Sequence, residues 1–221
     1  RAGLELTAET IEKIQLFIAR LLEKNKVMNL TAITQEDEIA DSHLLDSFLL
    51  LPYLRGESLI DVGSGAGFPG MLVKLLRPEL KLVLLDSTKK RISFLEELIA
   101  ELGLSQITAV HGRAEEVAHL PEYREKFDTA VARAVSSLDI LLELCLPLVK
   151  TGGRFLAMKG KDDELDLAAK ALPVLGAGKA RAEHYLLPGT DVQRSMVIVP
   201  KEKPTKQRYP RPFAAIKKLP L

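Results

Sequence analysis

Residues 59–70 read LIDVGSGAGFPG: Leu59, Ile60, Asp61 and Val62, then glycines at Gly63, Gly65, Gly67 and Gly70, with Pro69 opening a new helical pattern. Glycines this dense let the backbone turn tightly and approach a ligand where a Cβ would collide. An apolar strand feeding a Gly-rich turn and then a helix is how open α/β sheets build a nucleotide pocket. The stretch predicts an α/β protein that holds an adenosine-containing cofactor. It leaves the cofactor's identity open.

Two patterns overlap in it. Gly65, Gly67 and Gly70 fit G-x-G-x-x-G, the dinucleotide fingerprint, whereas Asp61 with Gly63, Gly65 and Gly67 gives D-x-G-x-G-x-G. The second resembles the first motif of S-adenosylmethionine-dependent methyltransferases. A pyrophosphate needs the helix N-terminus, so an acid beside the loop is awkward for a dinucleotide. A donor carrying an ammonium and a sulfonium makes a carboxylate at Asp61 useful. Asp86 closes the apolar run Leu82 to Leu85, roughly 20 residues on, where a strand-end carboxylate grips ribose hydroxyls. Both cofactors contain a ribose, so Asp86 does not choose between them.

Size and composition set bounds. The 221 residues suit one α/β domain with an appendage, and 28% charged against 47% hydrophobic residues is a globular composition. The one cysteine, Cys145, excludes an intrachain disulfide, suits a reducing cytosol and sits in an apolar helical pattern as a buried thiol. No apolar run approaches a bilayer span, and no signal peptide is visible. The first residue, Arg1, is not methionine, which leaves a trimmed N-terminus open. A net charge of +1 gives no global sign of a nucleic-acid partner, so any such sign must be local.

Along the chain, residues 1–56 read as a helical extension, 57–200 as the cofactor-binding core and 201–221 as a basic tail. Apolar residues at Ile11, Ile14, Phe17, Ile18, Leu21 and Leu22 predict a helix over 7–26, with Thr7 a weak N-cap. A second helix is expected over 35–51, ended by Pro52. Strands are expected at 59–62, 80–85, 106–110, 127–132 and 154–158. Helices are expected at 71–76, 89–103, 114–119, 138–149 and 162–172. Strict alternation implies parallel strands with right-handed crossovers. Strands 183–187 and 194–199 are joined only by Pro188-Gly189, an antiparallel hairpin at the sheet edge. Five parallel strands finished by such a pair look like the seven-stranded, Rossmann-like class I methyltransferase sheet.

Other residues carry candidate chemistry. Arg133 arrives at the C-terminal end of its strand, where open parallel sheets bind ligands. Its planar fork suits a phosphate or a guanine O6, and an ion pair with Asp128 or Asp139 is the structural alternative. Ala114 and Glu115 follow the third strand, fitting either the adenine edge or a helix start with acids against the dipole. Lys159-Gly160-Lys161 emerges at the same edge, fitting either a solvated turn or a substrate contact. His43 and Asp46 share a helix face and are expected to hydrogen-bond against the cofactor loop. Nothing nearby has metal-ligand spacing, so no metal site is expected. The Asn29–Thr31 sequon means nothing in a cytosolic protein. The tail gathers Lys201, Lys203, Lys206, Arg208, Arg211, Lys217 and Lys218 around Tyr209 and Phe213, with prolines expected to keep it extended. Cations interleaved with rings suit RNA, although a solvated tail has the same composition.

Taken together, NKVMNLTAIT, HLLDS, LIDVGSGAGFPG, LLDSTKKRISFLEEL, GRAEE, FDTAVARAVSSL, FLAMKGK and RYPR, running from about Asn25 to Arg211, resemble one family closely. It is the bacterial small-subunit ribosomal RNA guanine-N7 methyltransferases, the glucose-inhibited division protein B family. The resemblance implies a cytoplasmic enzyme transferring a methyl group from S-adenosyl-L-methionine to a guanine N7 of 16S ribosomal RNA or the 30S particle. It implies donor binding by Gly63, Gly65, Phe68, Asp86, Ser87, Ala114, Glu115 and Arg133, to which the glycine pattern adds Asp61, and Arg133 is also expected to serve catalysis. Lys159, Arg194, Arg208 and Arg211 are the expected RNA contacts, and neither metal nor membrane is expected. One departure follows RYPR, where Pro212-Phe213-Ala214-Ala215 replaces a Gly-containing basic stretch. An NAD-dependent oxidoreductase using Gly65, Gly67 and Gly70, and a noncatalytic cofactor-binding protein, are the competing readings.

Overall fold

A computed structural model describes residues 6–28, 43–133 and 136–221. Helix α1 spans Ala8–Met28. Thr7 caps it, its Oγ1 accepting the Thr10 N–H at 3.1 Å. Its buried stripe is Ile14, Phe17, Ile18 and Leu21, while Ile11 lies exposed. Helix α2, Leu45–Leu50, runs into a 3₁₀ turn at Leu51–Tyr53 carrying Pro52. The rest of the expected 35–51 helix, residues 35–42, falls outside the described residues, as do the sequon and Ala134.

The sheet follows. Strands β1 (Ser58–Val62), β2 (Lys81–Asp86), β3 (Ile107–His111), β4 (Phe127–Arg133) and β5 (Val149–Lys159) are parallel where they pair. Strands β6 (Arg181–Leu186) and β7 (Gln193–Pro200) form the expected hairpin, and β7 runs antiparallel to β5. The order is β3-β2-β1-β4-β5-β7-β6. It reverses between β1 and β4, which opens a crevice at the strands' C-terminal ends.

Both faces of the sheet are covered, and alternate residues feed two separate cores. Leu59, Val131, Leu156 and Ile198 face one core with α1, α3 (Gly70–Leu76) and α4 (Lys89–Glu101). Ile60, Ala130, Phe155 and Val197 face the other, with α5 (Ala114–Val117) and α6 (Leu138–Cys145). Two expected helices are interrupted, each by a proline: one ends early and the other breaks a turn before its proline. Pro147 turns the end of the 138–149 pattern into a 3₁₀ turn at Leu146–Leu148, and β5 begins at Val149. Pro173 divides the 162–172 pattern into single turns α7 (Leu165–Ala168) and α8 (Ala171–Val174), because its ring clashes with the carbonyl of Ala169 in a continuous helix.

The tail corrects an expectation. It is not extended but packed, with Tyr209 and Ile216 buried and a last helix, α9, at Phe213–Lys218. Among the described residues, no helix is long and apolar enough to cross a membrane.

Candidate active site

The loop after β1 is pinned to β2. Gly63 and Ser64 donate their N–H groups to the Leu85 carbonyl at 2.8 and 3.0 Å. Gly63, Gly65 and Gly67 all take positive φ, a backbone that L side chains resist. At Gly67 (φ +101°) a Cβ would also lie 2.8 Å from Met71 Cγ. At Gly70 a Cβ would lie 2.5 Å from Leu84 Cδ2 and 2.7 Å from Asp61 Oδ2. There glycine lets α3 press onto the sheet.

Asp61 decides between the two overlapping patterns. The Gly70 N–H donates to Asp61 Oδ2 at 2.9 Å, so a carboxylate already occupies the start of α3. A pyrophosphate at that helix end would find the Gly70 N–H already taken. The same geometry sets Asp61 back from the cleft, under the loop that would carry the cofactor. Asp61 is 1% exposed and lies beneath the loop rather than on the cleft wall. Burial pushes its carboxyl up to about 7, with the Gly70 N–H and the Arg133 charge pulling the other way. Its Oδ1 and the Ser64 hydroxyl are buried without a hydrogen-bond partner. Unanswered acceptors under a glycine loop fit a ligand that brings donors and positive charge.

Above the loop lies a cleft of about 920 Å³, lined among others by Gly63, Gly65, Phe68, Asp86, Ser87, Ala114, Glu115, Arg133, Lys159 and Arg194. Asp86 Oδ2 accepts the Gly65 N–H at 2.9 Å and Oδ1 accepts the Thr88 N–H at 2.8 Å. A carboxylate has about four acceptor sites, so these bonds aim Asp86 and leave it capacity for hydroxyls. Arg113 starts α5, and Glu115 lines the cleft from that helix's first turn.

One wall belongs to the first core. The Phe68 ring stacks there on two others, its centroid 4.8 Å from those of both Phe17 and His43. Arg133 lies over the same ring with its guanidinium carbon at 5.6 Å. Arg133 reaches Asp46 at 3.9 Å, and Arg194 Nε reaches both Asp46 oxygens at 3.2 Å. The expected partners of Arg133 are engaged elsewhere. Asp128 takes Ser58 and Lys150, and Asp139 takes the Ser137 hydroxyl. His43 does meet the cofactor loop, but by stacking on Phe68. Burial and the two arginine charges pull its pKa down to about 4, so the imidazole is neutral at physiological pH.

The lysine and tail expectations divide. Lys159 lines the cleft, but its Nζ donates to the Ser136 carbonyl at 2.8 Å and pairs with Glu164 at 2.9 Å. Arg211 is turned inward, its guanidinium clasping fully buried Glu143 through Nε at 2.8 Å and an Nη at 2.6 Å. An RNA contact through that fork is therefore corrected to a structural clasp. Lys201 is likewise buried, donating to the Leu146 carbonyl, and buried Tyr209 offers no free stacking face. Arg208 stays exposed over the Tyr209 ring.

Comparison with known proteins agrees with this geometry. A family model described as rRNA small subunit methyltransferase G (GidB) matches residues 10–184. The chain belongs to the rRNA small subunit methyltransferase G family. It is accordingly a methyltransferase, and its methyl donor is S-adenosylmethionine. It is 46% identical to the Ribosomal RNA small subunit methyltransferase G of Acetivibrio thermocellus over 99% of this chain and 92% of that one. Against the protein of the same name from Lactobacillus helveticus it is 45% identical, over 98% and 93%. Among solved structures, a putative O-methyltransferase from Klebsiella pneumoniae shares the fold at 14% identity, with a TM-score of 0.56 over 85% of this chain and 90% of that one. Precorrin-6y C5,15-methyltransferase from Geobacter metallireducens gives 16% and 0.53 over 70% and 88%.

Three features of this methyltransferase's cleft escape sequence reasoning. The Asp46 clasp joins residues 148 positions apart in the chain, beyond any local pattern. Tyr185 enters from β6 only because the hairpin folds against β5. Phe213 enters from the tail. A partial signal for that last feature does exist, since Phe213 and Ile216 are three residues apart, as on one face of a helical turn.

Proposed function

We propose that this methyltransferase acts on N7 of a guanine in small-subunit (16S) ribosomal RNA, free or in the 30S particle, in the cytoplasm. The observation that carries the reading is the convergence of Arg133 and Arg194 on buried Asp46, beside the neutral His43–Phe68 stack, at the mouth of the donor cleft. Fixed guanidinium forks beside an uncharged ring suit an anionic strand whose base has left its stack.

In this reading the Gly63–Gly65 turn and Phe68 seat the amino-acid end of the donor, and Asp86 and Ser87 take its ribose. Ala114 and Glu115 border its adenine. S-adenosylmethionine supplies an electrophilic methyl group on a sulfonium. Guanine N7 has an in-plane lone pair and no proton, so the chain needs no general base there. Its task is alignment, which by itself accounts for a large share of such a barrier. Arg133 orients the acceptor, and Arg194 with Lys159 fixes that wall. Arg208 and the exposed tail lysines meet phosphates further out.

The test is transfer of a labelled methyl group to unmethylated small subunits, followed by nucleoside mass spectrometry. Label in 7-methylguanosine is expected. Label in another nucleoside, or none, overturns the assignment.

A further inference from the structure

The C-terminal segment is clamped to the far side of the cleft from Arg133 and Arg194. Three independent contacts hold it. His119 Nε2 meets the Pro210 carbonyl at 2.8 Å, and Arg124 donates to the carbonyls of Tyr209, Thr205 and Lys206. Arg211 clasps buried Glu143 on α6. Tyr209 and Ile216 anchor the segment in the second core, and Phe213 packs against the same core. These contacts seat residues 209–213 against the end of α5 and the face of α6. That is the side from which Ala114, Glu115 and Leu144 line the cleft.

Phe213 therefore stands on the same wall as Ala114, Glu115 and Leu144, where it is the aromatic ring among the described lining residues. Its ring is half-buried and borders the cavity, and the backbone carrying it is fixed by ion pairs and buried side chains. The other rings at the cleft, Phe68, His43 and Tyr185, stand on the opposite wall. A preorganised ring loses little freedom on binding, and a flat purine is the part of the donor that gains from it.

We propose that Phe213 covers the adenine of S-adenosylmethionine, so that the C-terminal segment completes the donor pocket rather than the RNA surface. The inference rests on the donor being S-adenosylmethionine and not on which base receives the methyl group. Phe213 is a binding residue in this scheme. It has no part in aligning the acceptor.

The test titrates S-adenosylhomocysteine into wild type, F213A, F213L and F213Y by calorimetry, and measures KM for donor and for small subunits in parallel. F213A is expected to weaken S-adenosylhomocysteine binding and raise the donor KM about tenfold. The KM for small subunits is expected to stay within twofold. F213Y keeps the flat face and is expected to bind as wild type does, whereas F213L keeps the apolar volume and is expected to fall between. Should F213A fail to fold, the F213L–F213Y difference decides. Unchanged affinity in F213A, full affinity in F213L, or a raised KM for small subunits alone would each overturn the proposal. Loss of methyl transfer with donor binding intact in every variant would make Phe213 an acceptor-aligning residue and so overturn the proposal, while leaving the acceptor assignment to the nucleoside analysis.

Discussion

Arg194 on β7 holds both oxygens of Asp46 on α2 at 3.2 Å, while Arg133 on β4 approaches the same carboxylate at 3.9 Å. One buried carboxylate thus ties the hairpin edge, the sheet's switch point and the N-terminal extension together. Burial works to raise the Asp46 pKa, and the two guanidinium groups oppose it. Burial prevails and the Asp46 carboxyl lies above its usual range, and the pair of arginines stays aimed because both reach that single side chain.

Asp46→Asn keeps the shape and removes the charge, leaving two close guanidinium groups uncompensated. Unfolding in urea is expected to show a loss of about 1–3 kcal/mol. Methyl transfer is expected to fall at least tenfold in protein that is still folded. Wild-type transfer in this variant would show that the clasp does not position the site.

Arg133→Ala removes the cation over Phe68 and one partner of Asp46 together. Donor affinity is expected to weaken and transfer to small subunits to be largely lost, by about a hundredfold or more. Single-turnover rates alongside donor binding separate the two effects. An unchanged rate would contradict the role given to Arg133.

Asp61 imposes a pH dependence on stability. Burial holds its carboxyl near 7 in the fold against an ordinary value of 3.8, so folding takes up a proton between those values. Its contribution is greatest below about pH 4 and is lost as pH rises through 7. Asp61→Asn can still accept the Gly70 N–H and cannot ionise. Urea midpoints across pH 4–8 are expected to decline less for the variant than for wild type. Parallel curves would mean that Asp61 is ionised throughout.

The tail arginines are expected to behave oppositely. Arg211→Ala strands a buried carboxylate at Glu143, and the unfolding free energy is expected to fall by about 3 kcal/mol. Arg208→Ala touches an exposed side chain and is expected to change stability by under about 0.5 kcal/mol, while weakening binding to small subunits in a salt-dependent way. Equal stability losses in the two variants would contradict the inward clasp.

What could be read from the sequence was what a few consecutive residues determine. The turn from Leu59 to Gly70 was legible because strand, glycines and helix follow one another directly. Asp86 was legible because β2 pairs with β1 in parallel, Val62 beside Leu85, which brings the next residue to the loop. The sequence puts Arg133 at the C-terminal edge of the sheet but not beside its partner, because Asp46 arrives through packing of a different segment. The tail conceals its packing for a related reason. Its prolines and lysines suggest an extended chain, yet buried Tyr209 and Ile216 cost more exposed than the backbone costs folded. Arg211 and Lys201 then follow those anchors inward.

The central claim is that the cleft above Asp61 takes a cationic methyl donor and not a dinucleotide. Calorimetric titration of the same protein with S-adenosylmethionine, S-adenosylhomocysteine and NADH tests it most directly. The account predicts saturable binding of the first two and none of the third. Binding of NADH in place of both sulfur nucleosides would contradict it.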